Sequence, residues 1–283
     1  MTPFAAVVGA GEIGGATAQA IATLDCVREV RLIEAAPGVA AGKALDIAQA
    51  GCSEGYRTSV IGAQDERSAA GAAAIVLADA FANPSREWQG EEGLALVRRI
   101  WGFVESERTV IVCAGAHGAS LVRTSVRELH VSRRRIVGTA PAAFESAVRA
   151  LAAVALDGAG TTVSLMVLGD VPSSPVPCWS AASVSGTPLT SRLSAAQINA
   201  IENRLPKLWP PGPYALASAA ARAVEAIARG SRSELTTALA LDGEMGMRNV
   251  VAALPVRLGP GGVDRIIEPE LTPQELVRFK IRD

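Results

Sequence analysis

The apolar run AAVV at residues 5–8 passes directly into GAGEIG and then into GATAQAIATL, an alanine-rich stretch with apolar positions at helical spacing. A buried strand, a glycine turn and a helix in that order predict a βα unit in which the strand's C-terminal end meets the helix N-terminus. Gly9 allows the tight turn, Gly11 lets a phosphate approach the backbone, and Gly14 lets helix and strand touch. Glu12 and Ile13 open the helix, where unpaired N–H groups and the helix dipole favour an anion. The next apolar strand, in REVRLIEA, ends in Glu34, about twenty residues beyond the last glycine. An acid there accepts both ribose hydroxyls and repels a 2′-phosphate, so the pattern predicts NAD rather than NADP. The competing reading is a turn that only packs, with Glu34 solvated; the coincidence of strand, turn, helix and acid favours the nucleotide.

Further apolar runs, AAAIVLA, RTVIVCA and RRRIVGT, alternate with helix-like segments such as GEEGLALVRRIWGFVES, the rhythm of a doubly wound parallel sheet. After about Thr139 the pattern changes. A helix in AAFESAVRALAAV, strands in TTVSLMVLG and a Pro/Ser segment DVPSSPVP lead into long alanine-rich helical stretches. The β-like runs TTALALDG and NVVAALPVRLG follow, and then a last helix capped by Thr272. The expected fold is α/β in two compact units, residues 1–139 and 140–283, each with its own core.

With 49% hydrophobic and 19% charged residues the chain is expected to fold, and a net charge of −1 gives no field to recruit nucleic acid or an anionic membrane. The arginines 133–135 read as a solvated face. Cys26, Cys52, Cys113 and Cys178 are scattered without a CxxC, and only His117 and His130 could add imidazoles. That argues against a metal site and for reduced thiols. The start MTPFAAVVGAG lacks a basic region and no uninterrupted apolar run reaches spanning length, so a cytoplasmic protein is expected.

With these residues placed, the sequence resembles the lactate/malate dehydrogenase family over nearly its whole length. The resemblance rests on AAVVGAGEIGG, VRLIEA, GKALDIAQA, VLG followed by PVP, and above all LDGEMGMRNVVAALPVRLGPGGVDRIIEPELTPQEL. It implies an N-terminal Rossmann NAD domain, a C-terminal mixed α/β substrate domain, and a cleft between them for a small 2-hydroxy or 2-oxo acid. It also implies a homo-oligomer, dimer or tetramer, packed through helices.

Oxidising a 2-hydroxy acid requires a base for the hydroxyl proton while hydride leaves the same carbon. The family's histidine follows VLG, where this chain has Val171. The aspartate that orients it corresponds to Glu145, and the arginine that clamps the substrate carboxylate to Val148. Arg149 is adjacent but turned by about 100°, and is expected to point elsewhere. The mobile loop, ADAFANPSREWQGEEG, offers only Arg86, and the family's Thr-Asn-Pro turn is Ala114, Gly115 and Ala116. These departures imply a degenerate, dinucleotide-binding relative with little or no dehydrogenase activity. The alternative is an active oxidoreductase with a site rebuilt from His117, Glu145, Asp170, Arg86 or Arg149. Their structural readings are a partly exposed loop histidine, a helix N-terminal acid, an acid bonded to the proline-rich turn, and two solvated or paired arginines. An interaction protein without ligand is disfavoured by GAGEIG and Glu34.

Overall fold

The computed structural model describes residues 3–81, 87–104, 108–156, 158 and 163–280. Six strands form the first half: β1 (Phe4–Val8), β2 (Glu29–Ile33), β3 (Ser59–Ala63), β4 (Ala74–Leu77), β5 (Val110–Cys113) and β6 (Ile136–Gly138). They are all parallel, in the order β3-β2-β1-β4-β5-β6. The helices α1 (Glu12–Leu24), α2 (Val39–Glu54), α3 (Gly90–Phe103) and α4 (Gly118–Glu128) connect them. Alternate residues go to opposite faces: Ala5 and Val7 of β1, like Val110 and Val112 of β5, join one core, whereas Ala6, Val8, Ile111 and Cys113 join another. Burial on both faces is why these strands read as unbroken apolar runs. Strand order reverses between β1 and β4, and there a crevice opens at the strands' C-terminal ends, beside the N-terminus of α1.

Beyond β6 the chain enters α5 (Ala140–Ala155) and the pattern becomes antiparallel. There follow β7 (Val163–Ser164), β8 (Val167–Asp170), β9 (Ser174–Pro177), β10 (Ser183–Val184), β11 (Thr187–Pro188), α6 (Ala195–Glu202) and α7 (Pro213–Arg229). The chain closes with β12 (Glu234–Asp242), β13 (Arg248–Gly259), β14 (Gly262–Ile266) and α8 (Pro273–Lys280). β12 joins β6 through Ala238 opposite Gly138, and the sheet continues through β13, β8 and β9 with β14 on β13. β7, β10 and β11 make a small separate sheet. As predicted, Thr272 caps α8: its hydroxyl accepts the Glu275 N–H, and the Glu275 carboxylate accepts the Thr272 N–H (2.9 Å).

Two expectations are corrected. The halves share a core besides those of their own: one cluster runs from Ala5 and Val7 through Leu216, Ala220 and Val224 of α7 to Leu254 and Val256 of β13. The reason is that α7 crosses back to lie on α1 and over the first-half sheet, with Arg229 donating to the Leu24 carbonyl (2.9 Å). A further core gathers Phe144, Val148, Val171, Trp179 and Leu205. Nor is the arginine run simply solvated. Arg133 pairs with Glu244 (2.8 Å), and the Arg135 guanidinium lies 4.4 Å from the Trp101 ring centroid; Arg134 alone is exposed.

In the glycine turn, Gly9 has φ +97°, a region L side chains avoid, and a methyl group on Gly14 would overlap the Gly9 carbonyl. Gly14→Ala is therefore expected to lower stability by about 1–3 kcal/mol, as measured by urea denaturation. Gly42→Ala in α2, where nothing lies within 4 Å of the added carbon, should raise it by about 0.4–1 kcal/mol.

Candidate functional site

The first turn of α1 faces the crevice, and its amides already have an acceptor. Asp79 leaves the end of β4 with its carboxylate turned into the glycine turn. Oδ2 accepts the Glu12 N–H and Oδ1 the Gly14 N–H, each at 2.9 Å, while the Asp79 carbonyl accepts the Gly11 N–H at 2.8 Å. Asp79 is 1% exposed, and a methyl group on Gly11 would overlap its carboxylate. Burial pushes this carboxyl upward against the pull of the Gly14, Ile13 and Glu12 amides and of Lys43. Lys43 donates to the Gly11 carbonyl (2.8 Å) and stands 5.5 Å from the Phe81 ring centroid.

Glu34 is buried rather than solvated, and it too is turned inward. Its Oε2 accepts the N–H groups of Ala10 (3.0 Å) and Phe81 (2.8 Å), and Oε1 that of Ala36 (3.3 Å). Burial raises this carboxyl, but the Phe81, Ala10, Ala36 and Ala35 amides outweigh it and the net direction is down. A dinucleotide would need the amides of Glu12 to Gly14 for its pyrophosphate and the Glu34 oxygens for its ribose. As folded, the turn made by Gly9, Gly11, Glu12, Ile13 and Gly14 does not fit NAD, because Asp79 and the backbone already use those groups. The open cradle expected from the sequence is thus corrected. Asp79 was missed, and the available signal was an acid just past a buried strand that adjoins the glycine turn.

On the reaction side, Val148 is 0% and Val171 6% exposed, both within the core around Phe144 and Trp179. Glu145 is 5% exposed and ties three elements together. Its Oε2 accepts the Val167 N–H (3.0 Å) of β8 and the Thr236 hydroxyl (2.6 Å) of β12, and its Oε1 meets Arg149 at 2.5 Å. Burial pushes the Glu145 carboxyl up, opposed by Arg149, Thr236 and the Val167 amide. Arg149, expected to point elsewhere, shares a face with Glu145 because residues four apart on a helix stack. Its Nε also donates to the Leu165 carbonyl (2.9 Å). Asp170 is half-buried at the end of β8, opposite Ser174 of β9.

His117, exposed, precedes α4. Its N–H donates to Glu87 Oε2 (2.9 Å), and its Nδ1 lies 3.1 Å from the same oxygen. Glu87 pairs by an isolated antiparallel bridge with Asp79, and its carboxylate occupies the space a side chain at Gly115 would need. The Ala114–Gly115–Ala116 turn is thereby covered. The structure thus joins Glu145 with Arg149 and His117 with Glu87, a partner the sequence did not disclose. Arg86 lies outside the described residues. Burial pushes the Cys113 and Cys178 thiols up to about 12. Among the described residues no group of three or more His, Cys, Asp or Glu is placed to hold a metal, and no helix is long and apolar enough to cross a membrane.

Residues 212–282 match the lactate/malate dehydrogenase alpha/beta C-terminal domain. Malate dehydrogenase of Dehalococcoides mccartyi is 29% identical across 99% of this chain and 95% of its own length. That of Pelodictyon phaeoclathratiforme is 28% identical across 95% and 92%. Two solved structures share the fold. Malate dehydrogenase from Salinibacter ruber superposes with a TM-score of 0.87 at 24% identity, covering 98% of this chain and 93% of that one. Lactate dehydrogenase from Cryptosporidium parvum, complexed with lactic acid and nicotinamide adenine dinucleotide, superposes with 0.86 at 22% identity, covering 99% and 94%. With its parallel sheet in the order β3-β2-β1-β4-β5-β6, its antiparallel second half and these relatives along its whole length, the chain has the fold of the lactate and malate dehydrogenases, and its residues 212–282 carry that family's C-terminal domain signature.

Proposed function

We propose that this chain is a degenerate family member that carries out little or no hydride transfer between a nicotinamide dinucleotide and a 2-hydroxy acid. The observation that carries this reading is the burial of Val171 and Val148 in a packed core, at the positions where a proton acceptor and a carboxylate clamp are required. Loss of a general base costs about 10²- to 10⁴-fold in rate, and loss of the clamp removes the positioning on which the reaction geometry depends. Glu145 and Arg149 are not a substitute: each holds the other, and both are bonded to the framework of the second half. We divide the chain functionally at 139/140, into a nucleotide-fold unit and a former substrate unit. Exposed Leu45 on α2 and Tyr214 on α7, whose helices border one groove, support a homo-oligomer packed through helices, and a cytoplasmic location belongs to the same proposal. With Asp79 on its amides, the glycine turn serves as a packing motif rather than a dinucleotide cradle.

One observation favours an oxidoreductase with a rebuilt site. His117 is paired with Glu87 at the C-terminal end of β5, and an imidazole oriented by an acid can act as a base. An NADH-oxidation assay with oxaloacetate, pyruvate and other small 2-oxo acids decides between the two. No turnover above buffer is expected, and sustained turnover that His117→Ala abolishes would establish the second reading instead.

The structural role of Arg149 predicts a pH-dependent stability change. Arg149→Ala leaves the Glu145 carboxylate buried without its counter-charge and should cost about 1–3 kcal/mol at neutral pH. Removing the cation raises the Glu145 pKa further, so the variant's deficit is full above that pKa and shrinks as the pH falls through it and the carboxyl becomes neutral. Urea midpoints of wild type and variant across the acid range measure this. A deficit independent of pH would contradict it.

A further inference from the structure

We propose that Asp79 is the resident anion of the nucleotide site: its carboxylate takes the place of a pyrophosphate on α1 and closes the site to dinucleotides. The donors available to a phosphate at such a turn are the first amides of the helix. Here the two carboxylate oxygens take one each, Glu12 and Gly14, at normal hydrogen-bond length. An arriving pyrophosphate would meet a like charge in the position it must occupy.

The carboxylate is not a surface group that can swing aside. Asp79 is buried, and its main chain is fixed on both sides. Its carbonyl accepts from Gly11, and its strand bridge to Glu87 fastens the far end of the segment. Two residues on, Phe81 is anchored by its amide to Glu34, which also holds Ala10 of the glycine turn. The exit of β4 is thus bound across the cradle at Asp79 and at Phe81. At the second helix start facing the crevice, Glu87 takes the His117 amide and fills the space beside Gly115. Glu34, Asp79 and Glu87 together satisfy with the chain's own acids the amides that a bound dinucleotide would use.

The same bonds make Asp79 a cap of α1, in the role a side chain at the helix N-cap normally plays. Gly11 holds that position and has no side chain to offer. The cap removes the need for a ligand: the helix is complete without one, and the glycine pattern persists as a packing motif. This inference concerns the nucleotide half and stands whether or not the reaction site is dead.

The test measures binding of NADH and ADP-ribose by calorimetry and thermal shift on the full chain. At ligand concentrations of about 1 mM, enough to reveal any site tighter than millimolar, the wild type is expected to show neither heat nor shift. Asp79→Ala is expected to melt at a lower temperature yet bind both ligands at least about 100-fold more tightly than the wild type. Asp79→Ser, shorter than aspartate and uncharged, guards against a misfolded alanine variant and should also bind ADP-ribose more tightly because neither the like charge nor the blocking carboxyl remains. A wild type that binds NADH within about threefold of either variant overturns the proposal, as does a folded Asp79→Ala protein that binds no better than wild type. Wild-type binding without turnover would sink the closed cradle alone. Turnover by Asp79→Ala would instead sink the loss of the reaction site while leaving the closed cradle intact.

Discussion

A helix that begins at the crevice of a parallel sheet points several unpaired amides at one spot, and something must accept from them. In this chain the acceptor is a side chain that arrives from the end of β4, and much of the surrounding architecture follows from that contact. On the other side of the turn the Gly11 carbonyl accepts from Lys43 as well as from the Gly15 amide, and the Lys43 charge comes to rest beside Phe81. Because Phe81 is held there, its amide reaches Glu34, and the acid that ends β2 faces the turn rather than solvent. A network of short-range bonds around one buried carboxylate therefore gives the first half an interior corner that is polar and fully satisfied. Buried polar groups are tolerated on that condition.

The corresponding corner of the second half is apolar instead. Burying a valine contributes about 1.5–3 kcal/mol, whereas a desolvated base or guanidinium in the same place would require partners of its own. Val148 and Val171 pack with Phe144, Trp179 and Leu189 in a continuous apolar cluster. Glu145 is the polar exception, and its donors all serve cohesion: β8, β12 and the next turn of its own helix converge on it.

The fold was legible because its determinants are local. Unbroken apolar runs gave the parallel strands, the glycine turn gave the first βα unit, and Thr272 marked the start of the last helix, each within a few residues of sequence. The site was legible only where its groups are neighbours. Val148 and Val171 could be read from their immediate motifs, but Asp79 bonds to Glu12 across 67 positions and Glu87 to His117 across 30, separations at which a linear pattern carries no signal. Arg149 takes the paired arrangement open to it from the sequence, with its partner Glu145 one helical turn back. The shared core escaped because nothing in the composition of α7 says which sheet it will cover.

That helix has a mechanical consequence. Ala219, Ala220 and Ala223 of α7 belong to the same buried cluster as Ala18, Ile21 and Ala22 of α1, and side chains this small let two helix axes approach closely and interlock. Swinging the halves apart about a hinge would shear that dry contact and break the strand pairing at Gly138, so the molecule moves as one block rather than as a pair of jaws.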